Sequence, residues 1–453
     1  MQQDLRKLPG FHEVSSNQWP ALFKAKIDQC NVIFDFTDIT CDVKSKDIKR
    51  LALYELRDHV ASKEHVLANS IYKQVVDMFG RNVFRTIQPP TYRQPELFDI
   101  EDEPTLEVAW PHIKAVYELF LGVMESHDFD IKTARAYIDQ NFVLQLLQLF
   151  DSEDPRERGL LKATLHRIYD RFLSLRCFIR QSINQMLLQF IYESERFNGV
   201  AEFLEILGTI IYDLVMPLNE EYKTVLTRVL LPLHKPTILS KYHPQLVSCV
   251  VQFLEKDTSV TEEVVRGLLH YWPKVDSAKE VIFLYEVEDI LEVIDRAEFV
   301  KVQEPLFRQF AKSVTSPHSQ VAEKALSFWN TEQFRNLVRP NVEVILPIMF
   351  DPLYGNFSCH WNRYQARLSP AGSLVTPFRA VQRQMYYVME FLVDTNPRLF
   401  DSCMNQYPAE RENVAAREAL RKLRWAGLQE KANQRISAST AQSHLLESST
   451  EEQ

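Results

Sequence analysis

The stretch HPQLVSCVVQFLEKDTSVTEEVVRGLLHYWP, residues 243–273, decides the fold. Leu246, Val247, Val250, Phe253 and Leu254 recur at three- and four-residue intervals, as the buried stripe of an amphipathic helix does. After a short Ser/Thr-containing break the same spacing resumes with Val264, Val265 and Leu268. Pro244 and Pro273 stand at the outer ends, where proline starts or stops a helix without breaking its interior. Two short amphipathic helices joined by almost nothing pack antiparallel.

The pattern extends in both directions. From Glu221 to Tyr354 such segments arrive about every 20 residues, so a helix pair occupies about 40, the period of HEAT or armadillo units. Upstream, IKRLALYELRDHVAS (48–62), HVLANSIYKQVVDMFGRNVF (65–84), PTLEVAWPHIKAVYELFLGVM (104–124), IKTARAYIDQNFVLQLLQLF (131–150) and a long run from Arg156 to Ser194 read the same way. The expected fold is all-α, a pseudo-HEAT or armadillo-like helical-repeat solenoid over residues 21–408. A flexible segment is expected at 1–20, a charged solvated helix at 409–435 and a Ser-rich disordered tail at 436–453.

Composition agrees with that class and removes others. Ten glycines in 453 residues fall far below the roughly 30 that average usage would give, and phosphate-cradling loops and tight hairpins need glycine. No G-x-x-x-x-G-K, G-x-G-x-x-G, H-E-x-x-H or G-x-S-x-G occurs, so the common nucleotide, metalloprotease and hydrolase signatures are missing. Six cysteines without a C-x-x-C pair give neither a zinc site nor a disulfide framework. The aspartates of FDFTDITCDVKSKD lack calcium-loop spacing, and the adjacent Cys359 and His360 have no evident third partner. No catalytic residue, metal or cofactor is therefore expected. A formal net charge of −9 argues against nucleic acid as a partner, and no run of about 18 apolar residues offers a membrane span. A cytoplasmic or nuclear location is the expectation.

Two features invite a binding role. The acids Glu101, Asp102 and Glu103 precede Pro104, where they read either as favourable charges before a helix start or as an acidic loop facing a basic partner. The second is LHRIYDRFLSLR (165–176). On one continuous helix, His166, Tyr169 and Arg176 fall within about 80° of one another at ~100° per residue, opposite an apolar stripe of Leu165, Ile168, Phe172 and Leu175. Ile206 and Ile210 share one stripe of the next segment. If exposed beside these residues and Arg167, they would form a groove for an extended peptide with apolar anchors and acids. Spacing alone favours core isoleucines next to solvated basic residues.

Several longer motifs carry a resemblance. LFKAKIDQCNVIFDF, FRTIQPP, EDEPTLEVAWPHI, LHRIY, RCFIRQSINQ, YHPQLVSCVVQFLEKD, YWPK and PLFRQFAKSVTSPHSQVAEKAL, in this order from about Ala21 to about Glu430, resemble the B-prime regulatory subunits of the type 2A protein phosphatase. The resemblance implies a non-catalytic solenoid that joins a phosphatase scaffold subunit and a catalytic subunit. It further implies recruitment of substrate proteins carrying a Leu-x-x-Ile-x-Glu motif, with His166, Arg167, Tyr169, Arg176, Ile206 and Ile210 at the pocket positions. Ile206, Ile210 and Tyr169 would hold the apolar anchors, and His166, Arg167 and Arg176 would attract phosphate or carboxylate. The acidic loop at 101–103 would approach the catalytic subunit. Two departures stand out: Asn219 and Tyr222 occupy positions where the family commonly has lysine and histidine, and 364–379 reads as an inserted loop. A general helical-repeat scaffold or transport receptor, independent of a phosphatase, is the alternative.

Overall fold

The structure is a computed structural model that describes residues 5–38, 40–62, 71–87, 104–194, 196–216, 218–359 and 377–450. Glu101, Asp102, Glu103 and positions 364–376 of the expected insertion lie outside the described residues. Those described contain helices and turns and no strand. They gather into two compact units, Met1–Pro273 and Lys274–Gln453. The division falls where Pro273 ends the helical pattern and Val275 is left 97% exposed.

In the first unit the helices are α1 (Trp19–Cys30), α2 (Val43–Ser62), α3 (Ile71–Val83), α4 (Trp110–Glu125), α5 (Ile131–Ala134), α6 (Gln140–Gln148), α7 (Pro155–Arg171), α8 (Arg176–Gln189), α9 (Val200–Tyr212), α10 (Glu220–Val225), α11 (His243–Lys256) and α12 (Thr261–His270). They form two rows. In one, α2 packs on α4, α4 on α7, α7 on α9 and α9 on α11; in the other, α1 packs on α3, α6 on α8, and α8 on the turn at Leu226–Leu230. Each helix thus buries its stripe against the equivalent helix of the next repeat, which is solenoid packing. The second unit repeats the arrangement with α13 (Ser277–Val293), α14 (Arg296–Val314), α15 (Ser319–Ser327), α16 (Glu332–Val338), α17 (Val342–Cys359), α18 (Pro377–Thr395) and α19 (Pro397–Thr450). Here α13, α15 and α18 make one row and α14, α17 and α19 the other.

Polar contacts across neighbouring repeats follow the same period. Arg158 Nε donates to Glu202 Oε1 at 2.8 Å, Lys162 pairs with Glu205, Cys249 Sγ donates to the Leu204 carbonyl at 3.2 Å, and Lys256 Nζ donates to the Tyr212 carbonyl at 2.7 Å. Partners lie 43–45 residues apart in sequence in these pairs. At the start of α9, Gly199 permits the close approach: a Cβ there would meet the Phe150 carbonyl oxygen at 2.7 Å.

Both chain ends differ from the sequence reading. Residues 5–20 pack on the first helices instead of remaining loose: the Leu5 amide donates to Ser45 Oγ, Trp19 Nε1 to the Phe11 carbonyl, and Phe11 stacks on His59 at 3.9 Å. Aromatic area placed against a helix face supplies the burial that the charged composition hides. At the other end, α19 crosses the expected boundary at 408/409 without a break and its backbone stays helical to Thr450. Extension of an existing helix needs no new nucleus, so 436–450 departs from the disorder expected of a Ser-rich tail. From Asp401 to Asn433 the α19 side chains are exposed except for half-buried Cys403 and Tyr407.

One buried charge near α1 gives the fold a pH signature. Lys49 is 2% exposed, and its ammonium donates to the Val32 carbonyl at 2.6 Å and to Asn82 Oδ1 at 2.5 Å. Burial pushes it down to about 8 from an ordinary 10.5, a drop only partly opposed by the neighbouring Cys30 thiol. Between these values the unfolded chain binds the proton more than the folded one, so stability rises with pH across that window, by about 3 kcal/mol in order of magnitude. Urea unfolding followed by fluorescence from pH 7.5 to pH 10 should therefore show a Lys49→Met variant losing its ground on the wild type as pH rises. Parallel pH profiles for the two proteins would contradict this account.

Candidate functional site

The residues singled out in LHRIYDRFLSLR do not share one helix. Phe172 leaves the helical region with φ −105° and ψ 80°, and a 3₁₀ turn at Leu173–Leu175 separates α7 from α8. The break lets Phe172 bury against Phe129, with ring centroids 6.1 Å apart, and leaves Leu173 70% exposed. The expected apolar stripe is otherwise in place, since Leu165, Ile168, Phe172 and Leu175 are all buried.

A helix that stops leaves carbonyls without partners. Arg176, the first residue of α8, folds back to meet them: its Nε donates to the Tyr169 carbonyl at 2.8 Å and its Nη2 to the Asp170 carbonyl at 3.2 Å. A guanidinium at a helix C-terminus also complements the negative end of the dipole. Its carbon lies 5.0 Å from the Tyr169 ring centroid, so the same side chain fixes that ring. Arg176 is thus first a capping residue of α7, with two of its donors engaged in that role.

Arg180, one turn further along α8, continues the stack and is the residue that sequence reasoning missed. Its Nη1 donates to the Tyr169 hydroxyl at 3.1 Å, and its carbon lies 5.8 Å from the ring of Tyr222 on α10. Burial of Arg180 works against its charge, but the bond to Tyr169 and the fields of Tyr169, Tyr222 and Glu221 more than offset it, so its pKa is raised. Burial likewise raises the Tyr222 phenol, against the pull of Arg180. The result is an alternation of cation and ring: Arg176, Tyr169, Arg180, Tyr222. The four-residue spacing of the arginines in RCFIR places both on one face of α8 and was the available signal.

The remaining predicted residues divide. Ile206 and Ile210 share a face of α9 and are 1% and 6% exposed, so of the two readings that spacing allows they are core isoleucines. The reason is lateral packing, because α9 is covered by α7 on one side and α11 on the other. His166 faces Asp170, with Nδ1 3.4 Å from Oδ2, and Arg167 Nη2 reaches Glu125 of α4 at 2.5 Å. At ~100° per residue Arg167 and Tyr169 point to opposite edges of α7, so the structure separates them: Arg167 turns to α4, while Tyr169 joins the stack with α8 and α10. Asn219 caps α10, its Oδ1 accepting from the Glu220 amide at 3.1 Å, and is exposed.

Between α9 and α11 lies a cleft of about 540 Å³, lined by Glu205, Thr209, Tyr212, Asp213, Gln245 and Gln252 among others. Among the described residues no group of three or more His, Cys, Asp or Glu is placed to hold a metal ion, and no helix is long and apolar enough to cross a membrane.

The described residues define a helical-repeat protein with a cation–aromatic stack on α7, α8 and α10, and comparison with known proteins gives its family. The family described as protein phosphatase 2A regulatory B subunit (B56 family) matches residues 8–432. The chain is 50% identical over 443 residues to the 56 kDa regulatory subunit delta isoform of protein phosphatase 2A from Saccharomyces cerevisiae, covering 94% of this chain and 58% of that protein. It is 49% identical over 429 residues to the mouse alpha isoform, covering 95% and 85%, and 48% identical to the Schizosaccharomyces pombe delta 1 isoform, covering 94% and 75%. The chain belongs to the B56 family of protein phosphatase 2A regulatory subunits. These relatives are named as regulatory subunits, not as catalytic ones.

The dual role of Arg176 has a measurable consequence. Arg176→Ala removes two charge-assisted bonds from the end of α7, a loss of about 1–3 kcal/mol. Amide hydrogen exchange across residues 166–175 should accelerate, with Arg176→Lys intermediate because an ammonium lacks the planar fork. Unchanged exchange in the alanine variant would show that the cap is dispensable.

Proposed function

We propose that this chain is a substrate-recruiting subunit of a type 2A phosphatase, one that binds a scaffold subunit and a catalytic subunit and holds Leu-x-x-Ile-x-Glu motifs of substrate proteins on the surface formed by α7, α8, α9 and α10. The observation that carries this reading is the stack of Arg176, Tyr169, Arg180 and Tyr222. It offers aromatic edges for apolar anchors and two guanidinium groups for a carboxylate, on a surface fixed by backbone hydrogen bonds before any ligand arrives. Membership of the B56 family supports the same role.

Within this reading the buried Ile206 and Ile210 are the wall behind the groove, so their effect on a ligand passes through the placement of α9. Arg180 joins Arg176 as a candidate carboxylate reader. Tyr222 adds a ring where the family commonly has a cation, so the acid at the end of the motif meets guanidinium groups framed by aromatics. The acids at 101–103 are proposed to face the catalytic subunit. The protein is proposed to act in the cytoplasm, the nucleus or both.

A fluorescein-labelled peptide containing Leu-x-x-Ile-x-Glu should bind the purified chain in an anisotropy titration. Losing a charge-assisted contact in Arg180→Ala should weaken it at least ten-fold, the equivalent of about 1.4 kcal/mol. A folded wild-type protein that leaves the peptide free would overturn the motif assignment.

A further inference from the structure

The cleft between α9 and α11 opens on the side of the array that carries Tyr169. On α7, Tyr169 and Lys162 lie within about 20° of each other at ~100° per residue. Lys162 pairs with Glu205 of α9, and Glu205 Oε1 in turn accepts from Gln245 Nε2 of α11 at 3.3 Å. One wall of the cleft is the α9 row Glu205, Gly208, Thr209 and Tyr212; the other is the α11 row Gln245, Ser248 and Gln252. Gly208 leaves bare backbone at its floor. A Cβ there would meet Cys249 Sγ at 3.7 Å and Gln252 Nε2 at 3.8 Å, both ordinary contacts. Packing therefore does not demand this glycine, which weakens a helix interior; what it provides is room.

The walls present acceptors, because their donors are already engaged. The Thr209 hydroxyl donates to the Ile206 carbonyl and the Cys249 thiol to the Leu204 carbonyl. The Gln245 amide donates to Glu205, and that of Gln252 to Ser248 Oγ at 3.2 Å. Oε1 of Gln245 and Oε1 of Gln252 are left buried, with no hydrogen-bond partner among the described residues. A carboxylate only accepts, so Glu205 fixes the Gln245 amide with its carbonyl turned away. Seven residues separate the two glutamines, a rise of about 10.5 Å along α11. Three residues of an extended chain advance by roughly the same distance.

We infer that the cleft between α9 and α11 is a second subsite, which takes the backbone of the substrate segment flanking the motif, with main-chain N–H groups donating to Gln245 Oε1 and Gln252 Oε1. This inference rests on the peptide-binding reading above and extends it by one repeat. Each carbonyl met by the ligand gains a hydrogen bond that folding left unmade. Main-chain donors are present in every sequence, so the subsite adds affinity without demanding particular side chains. Glu205 is already held by Lys162 and Gln245, and Asp213 stands exposed at the rim; the buried part of the cleft calls for neutral donors.

The test titrates four fluorescein-labelled peptides against the full-length protein: the bare Leu-x-x-Ile-x-Glu motif, the motif between Ser-Ala flanks, the same long peptide with N-methylated flank amides, and one with Ser-Lys flanks. Wild type should bind the Ser-Ala peptide about three- to ten-fold tighter than the bare motif, as one or two recovered hydrogen bonds would give. N-methylation should abolish that gain, and so should Gln245→Leu combined with Gln252→Leu, with bare-motif affinity unchanged. Gln252→Leu alone leaves the contacts of Lys162, Glu205 and Gln245 in place and should lose part of the gain. A Ser-Ala peptide no tighter than the bare motif, a gain that survives N-methylation or the double variant, or a gain seen only with Ser-Lys flanks overturns the inference. Binding of the bare motif in those cases leaves the proposed function standing; a wild type that binds none of the four peptides removes both.

Discussion

Lateral burial of each helix against the helix one repeat further on is the constraint from which the rest of the first unit follows. Helices of 13 to 17 residues such as α7, α8, α9 and α11 are marginal alone in water, and each becomes stable by pressing its apolar stripe into a neighbour. Once α9 lies between α7 and α11, Ile206 and Ile210 have no route to solvent. Side chains that escape the stripe reach across to the adjacent repeat, which is why Arg158, Lys162, Cys249 and Lys256 all find partners a little over 40 residues away.

Within that array the candidate site is the product of a break. Had α7 and α8 formed one rod, Arg176 would project into solvent a turn and more beyond Tyr169. Because the chain turns at Phe172, the last carbonyls of α7 are left open and Arg176 returns to close them. The return brings a guanidinium over the Tyr169 ring, and the Tyr169 hydroxyl then holds Arg180 beside Tyr222. A capping requirement of the backbone thereby assembles four side chains from three helices into a rigid surface.

The repeat architecture was legible in the sequence because its signal is periodic: Leu246, Val250 and Phe253 announce a helix face whatever surrounds them. The site was legible only in part. Spacing drew attention to Tyr169 and Arg176, which the structure brings together, yet a helical wheel cannot show that Phe172 ends the helix, since a buried phenylalanine fits a continuing stripe equally well. The exposure of Ile206 and Ile210 was open for a related reason: a stripe gives the direction of burial on one helix, not how many neighbours will cover it. Arg180 escaped notice because its partners, Tyr169 and Tyr222, lie 11 and 42 residues away in sequence. The pairing of Arg167 with Glu125 across repeats was equally beyond reach of local spacing.

The central claim is that the surface built by α7, α8 and α10, backed by α9, receives the substrate motif. Hydrogen–deuterium exchange of the full chain with and without saturating Leu-x-x-Ile-x-Glu peptide addresses it most directly. The account predicts slowed exchange concentrated in residues 166–180 and 219–225, with the second unit unaffected. Protection confined to other helices would contradict it and move the substrate site elsewhere on the array.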